Sequence, residues 1–452
     1  MRDKRPALNQ EIARARKHFL AMAGSYFLGV FNDNFFKQVI MLIAVASSRR
    51  ELQALVPVIF TVPYLLVTAQ AGWLADRFPR RQVIIACKLL EVLAMVAGAA
   101  GLLLLHGGSP LLAPPWLLVL LMTGLMGMQS SLFSPSLNGS IPDLYPAAYV
   151  MRVNGLLKMA VVVAILTGIA CAGVTLDLKA GALPGWLTRA AADRPGQAVA
   201  AWIVLATSAL GFLLSFGVPY RPPANAAAPF PWAGPLRTLA DLYAMRGDGL
   251  LTLCVWANTF FWFLGAVLVL FTNDLGITEF KLSATLTSVL VVVQMAGVGI
   301  GAILCASLTA KRPWQRVLSP SMAGMAAALA GVWLLPAVWS HVSLPDAWRV
   351  ASLLLLFALT GVCGGIYLIP LETQIQLLPA AEQRGRMIAA ANFAAMVGVT
   401  LSGPAYGLFM KSGLQPRHGF GLMAALALGQ AALLRRVLAR MERKGERDAE
   451  QA

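Results

Sequence analysis

Charge is scarce in this 452-residue chain: 12% of residues are Asp, Glu, Lys or Arg, about half the roughly 25% of a water-soluble domain. That shortage excludes a soluble enzyme of several domains. Histidine is scarcer still, with four in the chain, and they form no metal-ligating constellation. The five cysteines (Cys87, Cys171, Cys254, Cys305, Cys363) all fall inside apolar segments, with no CxxC and no Cys/His cluster. They read as small packing residues and exclude a disulfide scaffold or a zinc module. No cleavable signal peptide is visible, because the basic N-terminus feeds directly into a span that carries charges. No nucleophile–base pair stands out, so the chain is not read as an enzyme. The net charge of +16 comes without a basic stripe interleaved with aromatics, which excludes nucleic acid as the partner.

What the chain has in abundance is apolar side chain: 58% of its residues and a mean hydropathy of +0.71. Runs long enough to cross ~30 Å of hydrocarbon occur at 19–46, 52–75, 82–105, 115–137, 153–175, 198–219, 249–272, 282–307, 318–340, 350–371, 387–410 and 418–437. They predict twelve helices in an all-α integral membrane protein. With both termini on the cytoplasmic side, the inner segments carry 24 Lys and Arg and the outer loops nine; Lys37, Lys88 and Lys158 lie within spans. That excess orients the chain.

A link at 220–248, opening Arg221-Pro222-Pro223, divides a six-helix bundle at 1–219 from a second at 249–452 with its tail. The two read as a repeat. Asn32-Asp33-Asn34-Phe35-Phe36 in span one parallels Ala257-Asn258-Thr259-Phe260-Phe261 in span seven. Pro135 at the end of span four parallels Pro370 in span ten, and Asn154 parallels Asn392. The offset rises from 225 to 238 along the chain, as in a duplicated unit with small insertions.

Twelve spans in two halves, joined to the loop Gly72-Trp-Leu-Ala-Asp76-Arg77-Phe-Pro-Arg80-Arg81, resemble the major facilitator superfamily. The loop is similar to that family's Gly-x-x-x-Asp-Arg-x-Gly-Arg-Arg signature, with Pro79 in place of glycine. The resemblance implies two pseudo-symmetric six-helix bundles, with Gly72, Asp76, Arg77, Arg80 and Arg81 forming a cytoplasmic gate that latches the halves. Gly29-Val-Phe-Asn32-Asp33-Asn34-Phe-Phe-Lys37, Lys88-Leu-Leu-Glu91, Ser134-Pro135 and Asn154-Gly155-Leu156 resemble, more narrowly, the bacterial lysophospholipid transporter family, some members of which are fused to acyltransferases. Two positions depart from its pattern. Leu137 stands where the family has a span-four lysine, and Lys158 where it has a span-five glutamate.

A charge in mid-span costs about 2.5–3.5 kcal/mol on insertion scales, so each needs a reason. Asp33 and Lys37 share a helix face at i, i+4, with Asn32 and Asn34 to either side. Asp33 is the candidate for a coupling Na⁺ or H⁺, or for the amine of a zwitterionic head group. Lys88 and Glu91 share a face of span three, and Lys158, one turn into span five, is the candidate for a phosphate. Asn258 is the repeat partner of Asp33, and Glu372 occupies the repeat position of Leu137. The glycines at 297, 299, 301, 361, 364 and 365 are read as packing residues. The His341-to-Asp346 spacing of an acyltransferase motif falls in an outer loop of about ten residues with no room for a catalytic domain.

The resemblance implies a monomeric secondary transporter of the bacterial inner membrane. It would carry lysophospholipid to the cytoplasmic leaflet for reacylation by a separate acyltransferase/acyl-carrier-protein synthetase, with no cofactor beyond a coupling ion. Two alternatives stand beside it. One is an exporter of drugs or small metabolites, against which the absence of a span-five Gly-Pro signature counts. The other is the membrane docking module of a phospholipid acylation system.

Overall fold

Inside hydrocarbon a backbone N–H or C=O finds no water, so an apolar run must satisfy its own hydrogen bonds as a helix. The computed structural model describes residues 5–105, 113–145, 147–179, 194–223, 225–342, 345–380 and 383–450; side chains are not described at 5–15, 142–143, 147–152, 442 and 444–450. Among the described residues all regular structure is helical. Twelve helices are long and apolar enough to cross a membrane: Arg16–Ala46, Arg50–Arg77, Arg80–Leu104, Pro114–Ile141, Val153–Leu176, Pro195–Ser215, Gly249–Glu279, Ala284–Thr309, Gln315–His341, Asp346–Leu377, Arg384–Lys411 and Pro416–Met441. They are numbered below as spans one to twelve. Every expected run is found as a helix, usually longer by a turn. A shorter helix, Gly234–Ala244, lies in the link.

The chain forms two compact units, Met1–Leu239 with Ser283–Ser288, and Ala240–Leu282 with Val289–Ala452. Each builds its core the same way. In the first, span three packs on spans four and six and span one on span five; in the second, span nine packs on ten and twelve and span seven on eleven.

The repeat extends to individual contacts. A Cβ on Gly127 would lie 1.9 Å from the Phe60 carbonyl oxygen in the first unit, and one on Gly361 2.0 Å from that of Gln294 in the second; both partners are displaced by 234 residues. Gly168 likewise lies against the Phe31 carbonyl as Gly398 lies against that of Thr259. Only a residue without a side chain lets two membrane helices approach at backbone distance, and much of the cohesion between helices in lipid comes from that packing. Gly301 and Gly365, a turn from this contact, also meet backbone carbonyls, whereas Gly299 meets nothing within 4 Å.

The contrast sets an expected result. Gly361→Ala should lower the melting temperature of the detergent-purified protein, since overpacking costs about 1–3 kcal/mol, and Gly299→Ala should leave it unchanged. Equal melting temperatures would remove the contact from the list of what holds the second unit together.

Local chemistry closes the helix ends. Asp248 caps span seven, accepting from the N–H groups of Leu250 (2.9 Å) and Leu251 (3.0 Å). Asp177, just past span five, accepts from the N–H groups of Ala284 (3.1 Å) and Thr285 (2.7 Å), which ties the start of span eight to the first unit. Partial burial opposes ionisation of Asp177, but those donors outweigh it and hold the carboxyl below its usual range.

Candidate functional site

Spans one to four of the first unit enclose a cavity of about 150 Å³, lined by Tyr26, Gly29, Val30, Asp33, Tyr64, Lys88, Gln129, Ser130, Phe133 and Ser134. Ligand pockets for drug-sized molecules run to ~300–1,000 Å³, so this one suits a polar group rather than a whole lipid. Asp33, 8% exposed, projects from the middle of span one. Its Oδ2 accepts a hydrogen bond from Ser130 Oγ at 2.6 Å, while its Oδ1 is buried without a hydrogen-bond partner.

The polar network continues from there across three spans. Gln129 Nε2 donates to Glu91 Oε2 at 3.2 Å, and Lys88 Nζ donates to the same oxygen at 2.7 Å. The Lys88 and Glu91 side chains are each 1% exposed. Lys88 also lies 5.1 Å from the centre of the Phe133 ring. Span one admits this pair because position 29 is glycine; a Cβ there would sit 2.7 Å from Lys88 Nζ.

Lys88 and Glu91 cancel each other, which leaves Asp33 as the carboxylate in the cavity lining without an ion-pair partner; its Oδ1, like Glu91 Oε1, has no hydrogen-bond partner. Glu91→Ala is expected to destabilise the protein strongly, because an unpaired buried ammonium costs about 3–5 kcal/mol. The double change Lys88→Met, Glu91→Leu should recover most of that loss. Thermal unfolding of both variants is the check, and a single variant as stable as wild type would deny the pair any bracing role.

The other expected residues lie elsewhere. Neighbours on a helix point about 100° apart, and both asparagines leave the Asp33 face. Asn32 Nδ2 donates to the Val204 carbonyl of span six at 3.3 Å, and Asn34 Nδ2 to the Val30 carbonyl of its own helix at 2.8 Å. Lys37 makes no ion pair within 4 Å of Asp33; its ammonium sits 4.0 Å from the centre of the Phe60 ring. Lys158 is exposed on span five, outside the cavity lining. In the second unit Asn258 is 4% exposed, its Oδ1 lacks a partner, and Glu372 is half-buried.

Leu137 is wholly buried in an apolar cluster with Phe19, Met22, Ile84, Cys87 and Phe133. The cluster leaves no polar surroundings for a cation at that position. Ser130, Gln129, Tyr26 and Tyr64 went unread in the sequence; the polar run Gln129-Ser130-Ser131 inside span four was the available signal.

The loop after span two is a hub of the first unit. Arg80 donates to the Gly139 carbonyl at 2.6 Å and Arg81 to that of Phe216 at 3.1 Å, placing cations at the carbonyl-rich C-terminal ends of spans four and six, where they are favoured. Arg77 and Trp73 both donate to the Ala228 carbonyl of the link, at 3.0 and 2.9 Å. The Asp76 carbonyl accepts from the Asn225 N–H at 2.9 Å, and its side chain is exposed. At Gly72 a Cβ would meet nothing within 4 Å.

Comparison with known proteins adds an independent line. The sequence model described as Major Facilitator Superfamily matches residues 18–345 and 278–452. Among curated relatives, the Lysophospholipid transporter LplT of Enterobacter sp. (strain 638) is 25% identical over 429 residues, 91% of this chain and 94% of that protein. A protein of the same name from Klebsiella pneumoniae (strain 342) is 24% identical over 444 residues, 92% and 95% of the two chains. Two solved structures share the fold. A bacterial homologue of the iron transporter ferroportin, inward-facing, has a TM-score of 0.69 at 14% identity over 95% of this chain and 98% of that one. A bacterial homologue of the lysosomal transporter Spinster has a TM-score of 0.68 at 15% identity over 93% and 94%.

Proposed function

Because the chain belongs to the major facilitator superfamily and is a multi-pass membrane transporter, we propose that it moves lysophospholipid across the bacterial inner membrane to the cytoplasmic leaflet, where reacylation follows. The observation that carries this reading is the Asp33 carboxylate in the wall of an aromatic-lined cavity, with one oxygen held by Ser130 and the other buried without a hydrogen-bond partner. Relatives named as lysophospholipid transporters cover nearly the whole chain.

The chemistry of the site fits a head group in two parts. Asp33 supplies the negative charge of the cavity wall once Lys88 and Glu91 have cancelled, and Tyr26 and Tyr64 add aromatic lining of the kind that attracts a cation. A primary amine is the group this arrangement takes best; between substrates, the same oxygen takes a coupling H⁺ or Na⁺. The phosphate then needs a cation outside the cavity, and Lys158 is the exposed lysine on a neighbouring span. Both termini lie in the cytoplasm in this reading, and a separate acyltransferase/acyl-carrier-protein synthetase receives the product.

Uptake of labelled lysophosphatidylethanolamine and its glycerol analogue into proteoliposomes of the purified chain tests the substrate. Uptake of the ethanolamine lipid is expected, and failure to move either lipid overturns the reading.

The Gly72–Arg81 loop acts as the gate. A latch stabilises one end state, so its loss shifts populations without removing a ligand contact. Asp76→Ala should therefore leave binding largely intact, slow turnover and change the labelling ratio of cavity cysteines from the two sides. An unchanged ratio with normal transport would reduce the loop to an anchor.

A further inference from the structure

The linker helix Gly234–Ala244 wears its amphipathic pattern inside out. On the face toward the protein, Gly234 is buried and Asp241, 9% exposed, is ion-paired with Arg386 at the start of span eleven. Its large apolar residues face outward. Leu236 (69% exposed), Leu239 and Tyr243 follow one another at i, i+3, i+7 along one face, and Trp232 (86% exposed) extends the stripe by one turn. Four large apolar side chains in a row, turned away from the protein, need a non-aqueous environment.

Two observations identify it. The first is depth. Span two, Arg50–Arg77, has 28 residues and is therefore about 42 Å long, roughly 6 Å beyond a ~30 Å hydrocarbon core at each end. A Cβ on Gly234 would lie 2.2 Å from that of Ala69, about 12 Å before the end of span two, and the Phe230 and Trp73 rings meet edge-on at 5.0 Å. By these lengths the start of the linker helix lies about 6 Å inside the edge of the hydrocarbon, within the ~5–10 Å to which an interfacial helix buries its apolar face.

The second is charge. Asp241 is turned inward and paired, so the exposed charges of the helix and the turn after it are Arg237, Arg246 and Asp248, the last bound to the N-terminal N–H groups of span seven. Arg246 lies 4.9 Å from the centre of the Tyr243 ring at the rim of the stripe. Tyrosine, tryptophan and arginine around an apolar face are the composition of a helix lying in the plane of a membrane interface.

The geometry points to the linker helix as a membrane-interface element that seats its Trp232–Tyr243 stripe just below the head groups, at the edge of the acyl chains on the basic side of the bilayer, and binds anionic phospholipid through Arg237 and Arg246. This assignment is independent of which substrate the transporter carries.

The test uses the full chain in liposomes of phosphatidylcholine, with or without phosphatidylglycerol. Spin labels on Leu236→Cys, Leu239→Cys and Tyr243→Cys in a background without native cysteines are expected to collide with oxygen several-fold more than with a water-soluble nickel chelate. Nickel-dominated collisions would put the stripe in water, and low collision with both would put it under protein; either overturns the proposal. Arg237→Gln with Arg246→Gln should reduce the oxygen preference in vesicles containing phosphatidylglycerol and leave it unchanged in phosphatidylcholine. No change in either vesicle overturns the anionic-lipid contact. Quenching by brominated lipid provides a reading that keeps the native cysteines: wild type should lose more fluorescence than Trp232→Phe, and equal loss counts against the seat.

Discussion

Asp33→Asn is expected to abolish transport while leaving the protein folded. The asparagine fills nearly the same volume and still accepts the hydrogen bond from Ser130, so the local frame holds. What disappears is the negative charge that Asp33 brings to a cavity in which Lys88 and Glu91 already neutralise each other. A hydrogen bond to a charged group is typically worth ~1.5–3 kcal/mol, roughly ten- to a hundredfold in affinity. If the same carboxylate also carries the coupling ion, the loss in transport exceeds that range. Removing a buried charge at the same time removes its desolvation cost, so the melting temperature should stay level or rise. The check is transport and thermal unfolding measured on one preparation. Wild-type rates in proteoliposomes would remove Asp33 from the mechanism, and loss of folding would make it a structural residue.

Lys158→Ala is expected to weaken lysophospholipid transport by roughly ten- to a hundredfold, the equivalent of one charge-assisted contact, without loss of stability. Lys158 is exposed in a membrane span, with no carboxylate within ion-pair distance among the described residues. Lys88, the other lysine suggested by the sequence, is bound to Glu91 at 2.7 Å and is not free to meet a phosphate. A harmless alanine would mean that Lys158 only reaches toward the interface with its long stem.

The family pattern also suggests a compensating pair, Leu137→Lys with Lys158→Glu. The structure argues against it. Leu137 is wholly buried among apolar side chains, where an ammonium would lose its hydration with no partner. The double variant is expected to unfold rather than to rescue.

How much of this was legible in the sequence follows from the range of each interaction. The twelve spans and the repeat could be read directly, because in lipid a helix is decided by a local run of apolar residues and needs no distant partner. Helix-packing glycines were legible as a class, but which of them touch backbone was not. Gly299 sits between Gly297 and Gly301 yet meets nothing within 4 Å, since a residue two places along a helix points to the other side. The candidate site was half visible. Charges inside apolar runs reveal themselves at Asp33, Lys88 and Glu91, whereas Ser130 and Gln129 are ordinary residues until span four brings them to Asp33 and Glu91.

The sequence by itself determined the class of solvent, the number of spans, the sidedness of charge and the positions where an ionised group stands within a membrane. Each depends on composition within about one helix length. The tertiary structure decided which of those charges meet. It separated Asn32 and Asn34 from Asp33, set Lys37 over Phe60, spent Lys88 on Glu91, and turned the apolar face of the linker helix outward. Those outcomes depend on the rotation of each helix about its axis, set by packing against neighbours distant in the chain; no local pattern specifies it.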